Sequence, residues 1–300
     1  MDSLPSLVRS RPQLSLALAV VAVSFAAIFI RMSSAPPLII SFYRTLFASL
    51  ILAPFILSNR NYRAQLKELK GKKFFYVMGA GLALSLHFFT WITSLNYTSV
   101  ASSVVLVSTQ PVFLLLLELI FLGDRPARSL IAGVGLTMAG TVLIGFGDFG
   151  GGGSSFVLRG DLLALTGGLM AACYFLIGSK VRQRMDTLPY VFSVYSITAS
   201  LLLIFCLASG VELLTYSARN YYLFVLLALV PTLIGHNLFN WALREVKASR
   251  VGTTILGEPV GSSLLAALFF EEYPPLLSIV GGLFVLSGIY YVWRKRKGDR

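Results

Sequence analysis

The sequence predicts an all-α polytopic membrane protein, with ten transmembrane helices in two inverted five-helix repeats. Three observations carry that prediction: the composition, ten apolar stretches of membrane length, and a register of prolines and glycines that recurs 148 residues along the chain. Of 300 residues, 56% are hydrophobic and 13% charged, against about 25% charged in an ordinary globular domain. Mean hydropathy is +0.78. A soluble surface on a chain this long needs far more charge. Two cysteines exclude a disulfide scaffold, and the apolar bias excludes a disordered chain.

A hydrocarbon layer about 30 Å thick is crossed by about 20 apolar residues of helix. Stretches of that kind fall at 14–32, 38–58, 74–95, 99–121, 129–147, 160–179, 189–208, 221–243, 249–270 and 275–293. The eighth is the weakest, because Pro231, Gly235, His236, Asn237 and Asn240 dilute its second half. The first follows Arg9 and Arg11 and precedes Met32-Ser33-Ser34-Ala35, a pattern shared with secretory signals. Its length and the second span close behind it favour a retained helix. Ten-residue alternating strands, the mark of a membrane barrel, are absent.

Lys and Arg then orient the spans. With the N-terminus cytoplasmic, 21 of the 25 basic residues fall in inner segments. The outer loops hold Arg31, Arg159 and Arg219, and Arg44 lies inside a span. Both termini are therefore expected in the cytoplasm of a cell possessing this chain in its plasma or inner membrane. The net charge of +12 is a topology signal, and nucleic acid is not an expected partner.

A shift of 148 residues sets Leu95 on Leu243, Pro111 on Pro259, Phe121 on Phe269, Pro126 on Pro274, Gly133 on Gly281 and Gly140 on Gly288. Asp124 falls on Glu272. Prolines and glycines in one register carry weight, because each has a backbone reason for its place. The division expected is a first repeat at 1–149, a Gly/Ser linker at 150–159 and a second repeat at 160–300. The linker run Gly150-Gly151-Gly152-Gly153-Ser154-Ser155 has no following Gly-Lys-Ser/Thr, so it is not a phosphate loop. Five spans per half, an odd number, send the second half into the membrane from the opposite face. Inverted repeats with a site at their interface are a plan of secondary transporters.

The stretch Thr93-Ser94-Leu95-Asn96-Tyr97-Thr98-Ser99-Val100-Ala101-Ser102-Ser103, then Gln110-Pro111-Val112-Phe113 and Phe121-Leu122-Gly123-Asp124-Arg125, resembles the repeat of the drug/metabolite transporter superfamily, EamA type. Trp241-Ala242-Leu243, Ala248-Ser249, Leu256-Gly257-Glu258-Pro259 and Glu271-Glu272 form its counterpart. The resemblance covers nearly the whole chain and is similar to that of the YddG-type amino-acid exporters. It implies a ten-span carrier with inward termini, and says little about substrate. Four-span multidrug members of the superfamily carry a Glu in their first span. No carboxylate stands at 14–30 here, which argues against antiport of cationic drugs.

Candidate site residues follow from their depth. Gln110-Pro111 and Glu258-Pro259 are repeat equivalents near mid-span, where each proline frees the carbonyl four residues earlier, at Val107 and Ile255. Such carbonyls at membrane depth face protein or a wet cavity. Glu258 fits either an ammonium-binding role or uptake of a proton that drives exchange, and a structural role in a kinked bundle is the alternative. His236 and Asn240 share a helix face with Trp241 beside them, and His87 and Trp91 repeat the four-residue spacing. His236 falls on Phe88 in the repeat, so the histidines approach one place, to bind substrate, titrate or hold neighbouring spans. Arg44 either holds a substrate carboxylate or snorkels to headgroups. Tyr43 and Tyr195 join Trp91 and Trp241 as aromatic cavity candidates. Glu118, near the inner interface, is expected to pair or snorkel.

The fifth span of each half carries Gly133, Gly135 and Gly140, or Gly281, Gly282 and Gly288, which permit close packing within the chain or across a homodimer. No zinc motif, nucleophile elbow or intramembrane aspartate pair is present, so neither a metal, a cofactor nor an embedded enzyme is expected. The function expected is secondary-active export of amino acids or similar small polar metabolites by alternating access, with protons as a candidate coupling ion. Uptake or exchange of a nucleoside, sugar or amine is the alternative.

Overall fold

The computed structural model describes residues 12–98, 100–123, 125–147, 155–271 and 273–294. Arg9, Arg11, the basic residues beyond Arg294, the run 150–154 and the Asp124–Glu272 equivalence lie outside the described residues. Helices run α1 Pro12–Met32, α2 Pro37–Ser58, α3 Arg60–Lys67, α4 Gly71–Ser94, α5 Val100–Val107, α6 Gln110–Leu122, α7 Arg128–Gly147, α8 Ser155–Arg182 and α9 Thr187–Ala208. They continue as α10 Ala218–Leu227, a π-helical segment Ala228–His236, α11 Asn237–Ala242, α12 Ala248–Ile255, α13 Glu258–Phe270 and α14 Leu276–Trp293. Among the described residues nine helical stretches are long and apolar enough to cross a membrane, and the shorter apolar stretch Arg128–Ile144 occupies the place of the fifth span. Leu18, Phe55, Phe75, Ile120, Leu268 and Leu283 are exposed, as expected of surfaces that hydrocarbon covers.

Local sequence explains most boundaries. Pro37 opens α2 at its first turn, where a missing N–H costs nothing. Asn59 caps α3, its side chain accepting the N–H groups of Asn61 and Tyr62 at 2.9 and 3.2 Å. Gly123 ends α6 with φ +69°, a conformation that costs glycine little. Two of the sequence boundaries move. Helix α8 reaches back to Ser155, into the segment read as linker, because Arg159 lies over the Tyr97 ring at 4.6 Å and Asp161 accepts from Thr98 at 2.8 Å. Helix α1 begins at Pro12 and buries Leu16, Ala19 and Val23 in the largest core cluster, so the fold uses it as a span.

The fourth and ninth spans are each broken in two, and the breaks fall where the prolines put them. Helices α5 and α12 end at Val107 and Ile255, the residues four before Pro111 and Pro259. The contacts around these breaks obey the repeat. A Cβ on Gly168 of α8 would lie 2.8 Å from the Val107 carbonyl and 3.3 Å from Thr109 Oγ1. At the equivalent place a Cβ on Gly257 would lie 3.0 Å from Val20 of α1. The two halves thus leave room for the same contact with a glycine on opposite partners.

Helices α7 and α14 form a seam. Gly140 meets Gly281 and Gly133 meets Gly288, so residue i contacts the partner of j, and j the partner of i, as across a two-fold axis. These glycines pack within the chain. Gly135 of α7 meets nothing within the chain, so it takes no part in this seam.

Glu118 on α6 is buried, and its carboxylate accepts the Ser249 N–H at 3.0 Å, capping the start of α12. It pairs rather than snorkels. Glu118→Ala is expected to cost about 1–3 kcal/mol of stability by leaving that N–H unmet. Glu118→Gln keeps an accepting oxygen and is expected to cost much less. Thermal unfolding in detergent would separate the two, and equal losses would mean the charge, not the hydrogen bond, matters.

Candidate functional site

A cavity of about 50 Å³ sits at the level of both breaks, space for one or two water molecules at about 30 Å³ each. Seven spans line it, among them α1 with Val23 and Ala26, α2 with Arg44, α4 with His87 and Trp91, and the α5–α6 break with Gln110. From the second half come Tyr174 and Phe175 of α8, Pro231 and His236 of the π-helical segment, and Glu258 at the start of α13. Six sequence candidates therefore meet here: Arg44, His87, Trp91, Gln110, His236 and Glu258.

Arg44 does not reach for headgroups. It is 1% exposed, and its Nε and Nη2 donate to Thr232 Oγ1 at 3.2 and 3.0 Å. The Thr232 hydroxyl in turn donates to the Leu227 carbonyl five residues back, at 2.8 Å, the reach that a π-helical turn provides. The guanidinium lies 4.0 Å above the Phe88 ring, a cation–π contact strengthened by exclusion of water. His236 meets the same ring edge-on at 5.5 Å between centroids, so the repeat equivalents 88 and 236 touch one another at the centre. His87 Nδ1 donates to the Gly167 carbonyl at 2.9 Å, and its ring stacks on Trp91 at 6.0 Å.

Glu258 begins α13, where unmatched N–H groups favour a negative charge. Ser24 of α1 donates to its carbonyl at 3.4 Å. Glu258 and Arg44 close no salt bridge, so the cavity keeps one cation and one carboxylate, from opposite halves, apart.

Three candidates stand elsewhere. Tyr43 stacks on Phe224 at 5.0 Å and donates to the Leu213 carbonyl at 2.7 Å, which fixes it between spans. Trp241 packs on the main core and does not line the cavity, which α11 reaches through Phe239 instead. Asn240 lies one layer behind, its amide donating to the Tyr174 hydroxyl and to the His236 carbonyl.

A vestibule of about 660 Å³ opens at the end of the bundle that carries Arg31, Ser33 and Tyr273. Its floor includes Ile92 and Pro259, the chain neighbours of Trp91 and Glu258. At the other end, bonds tie the halves together. The Gln65 amide of α3 donates to Asp186 Oδ2 at 2.6 Å and accepts the Asp186 N–H at 2.9 Å. Arg244 adds an ion pair to the same carboxylate at 3.8 Å.

The profile of the EamA-like transporter family matches residues 12–146 and again 158–294. The chain belongs to the EamA-like transporter family. It is thus a membrane transporter, not an enzyme. This EamA-like transporter is 26% identical over 288 residues to an uncharacterized transporter of Archaeoglobus fulgidus, covering 94% of this chain and 96% of the relative. It is 24% identical to the Bacillus subtilis transporter YdfC, over 85% and 81% of the two chains. A Streptantibioticus cattleyicolor protein named "Probable terminal-alkyne amino-acid exporter" is 23% identical over 65% of this chain and 64% of its own. A solved crystal structure, 18% identical, superposes with a TM-score of 0.78 over 95% of this chain and 96% of that one, which shows a shared fold.

One side chain beside the cavity escapes a reading of the sequence. Thr232 holds Arg44 through its hydroxyl, and the aromatic candidate Tyr195 stands beside it, its hydroxyl donating to Asn237 Oδ1 at 2.8 Å. Hydroxyl residues are common in membrane helices and usually bond neighbouring spans, so Thr232 does not stand out. Phe88 did carry a signal, as the repeat equivalent of His236.

Proposed function

We propose that this EamA-like transporter is a secondary-active exporter of amino acids or similar small polar metabolites, working by alternating access. Halves 1–149 and 160–300 would rock about the central cavity, in a plasma or inner membrane with both termini cytoplasmic. The observation that carries this reading is the pair of opposite charges, Arg44 from one half and Glu258 from the other, facing a common cavity at the level of two broken spans. Such a pair is complementary to a zwitterion, and broken spans at mid-depth are where carriers place their sites. The exporter name of the Streptantibioticus relative agrees. A single chain holds the whole cavity, so we take the monomer as the transport unit.

Uptake of a panel of labelled amino acids into proteoliposomes, with and without a proton gradient, tests the proposal. The expected result is saturable uptake that unlabelled substrate competes away. If no amino acid moves through folded protein, the amino-acid reading fails. Glu258 and His236 are the proposed coupling groups. Residual uptake by Glu258→Gln, measured at raised substrate concentration, is expected to ignore the gradient. A gradient response that persists in a folded variant removes Glu258 from that role.

A further inference from the structure

Four side chains that line the central cavity each leave a nitrogen without a hydrogen-bond partner: Arg44 Nη1, Trp91 Nε1, Gln110 Nε2 and His236 Nδ1. Arg44, Trp91 and Gln110 are 1%, 6% and 5% exposed, so these nitrogens are withdrawn from water. A guanidinium and an indole are donors only, and no rotamer or tautomer turns them into acceptors. Buried donors in a native structure are nearly always met. Unmet ones gathered around one cavity mark where a ligand's acceptors go. The carboxyl acceptor on the wall is Glu258, which stands on the opposite half and forms no ion pair with Arg44.

The two walls are therefore unequal. Several N–H groups and a cation face one end of the ligand, and one carboxylate faces the other. We propose that the cavity, widened beyond its 50 Å³ as the halves part, reads a zwitterion by unequal ends. The carboxylate is the obligatory handle, taken by Arg44 Nη1 with the Trp91 and Gln110 N–H groups. Glu258 is the specificity residue that demands an α-ammonium group. This rests on the amino-acid reading and goes further, because it assigns each end of the substrate and names the residue that rejects its analogues.

The rejection follows from charge. An α-hydroxy acid still satisfies the Arg44 wall, but it leaves Glu258 buried beside a ligand of the same sign with no counter-charge. A decarboxylated amine satisfies Glu258 and leaves every donor unmet. With Glu258 replaced by glutamine the cavity keeps one positive charge, and the hydroxy acid becomes the better match.

Binding to purified protein, read by calorimetry or ligand-induced thermal stabilisation, tests this with matched trios. Examples are L-alanine, L-lactate and ethylamine, or L-phenylalanine, L-3-phenyllactate and phenethylamine, the trio being built on the amino acid that binds best. Wild type is expected to bind the amino acid at least about tenfold more tightly than the hydroxy acid, and the amine not at all. Glu258→Gln is expected to reverse the order of amino acid and hydroxy acid. Trp91→Phe keeps the ring and removes one donor, so it is expected to weaken both acids in wild-type order and by a similar factor, about tenfold. An unchanged order in Glu258→Gln, an amine that binds as well as the amino acid, or a Trp91→Phe variant with undiminished affinity overturns the assignment. Failure of the amino-acid reading itself looks different: wild type then binds no amino acid of the panel.

Discussion

Arg44→Gln is expected to lower saturable uptake by at least about thirtyfold while the protein still inserts and purifies as a single species. Three interactions vanish together, the two hydrogen bonds to Thr232 and the contact over Phe88, and with them goes the unpartnered Nη1 of a cavity-lining side chain. Truncating one partner of a buried, hydrogen-bonded charge typically costs about 2–5 kcal/mol, and about 1.4 kcal/mol is a factor of ten. The loss leaves Glu258 as the sole charge of the cavity wall, so binding of any carboxylate suffers as well. Arg44→Lys is the informative companion. It restores the charge without the fork, and an ammonium cannot bond Thr232 and a ligand in the same planar geometry, so partial recovery is expected. Proteoliposome uptake checks both, and Arg44→Gln working within threefold of wild type would end the case for Arg44 as a ligand group.

Gly281→Leu is expected to unfold the protein at markedly lower temperature, and Gly281→Ala to do so by a smaller step. A Cβ at position 281 would stand 2.5 Å from the Gly140 carbonyl oxygen and 2.8 Å from the Ile144 nitrogen. Both are backbone atoms of α7 and cannot swing aside. Overfilling a packed contact typically costs about 1–3 kcal/mol, and here the strain falls on a seam that joins one half to the other. The control lies on the facing helix, α7. A Cβ on Gly135 meets nothing within 4 Å, so Gly135→Ala is expected to be neutral, or to stabilise by about 0.5–1 kcal/mol through helix propensity. Thermal unfolding in detergent checks the pair. Equal behaviour at 281 and 135 would mean the seam is loose.

The contrast between these glycines shows what the sequence can and cannot say. Prolines act locally, so the breaks at Val107 and Ile255 were legible from Pro111 and Pro259 alone. The 148-residue register set His236 on Phe88, beside His87, and so brought the two histidines toward one place, where both line the cavity. Packing partners are another matter. Gly133 and Gly135 are alike as letters, and tertiary placement alone decides that one meets Val292 and Gly288 while the other faces open space. The same holds for aromatics: Trp91 enters the cavity, and Tyr43 is spent on Phe224 and the Leu213 carbonyl. Pro231 and Gly235 diluted the eighth span visibly, yet nothing in their order foretold the π-helical turn that lets Thr232 reach Leu227 and hold Arg44.

The bonds between Gln65 and Asp186 set a resting bias. A hydrogen bond to a neutral group is worth about 0.5–1.5 kcal/mol net and one to a charged group about 1.5–3, so parting this half-exposed pair costs on the order of 2 kcal/mol. At about 1.4 kcal/mol per factor of ten, these bonds alone would weight the closed α3 end of the proposed rocking cycle roughly thirtyfold over an open one. A bound substrate reverses that preference only by favouring the other state more than thirtyfold. A ligand that grips both states equally, however tightly, leaves the carrier facing one way.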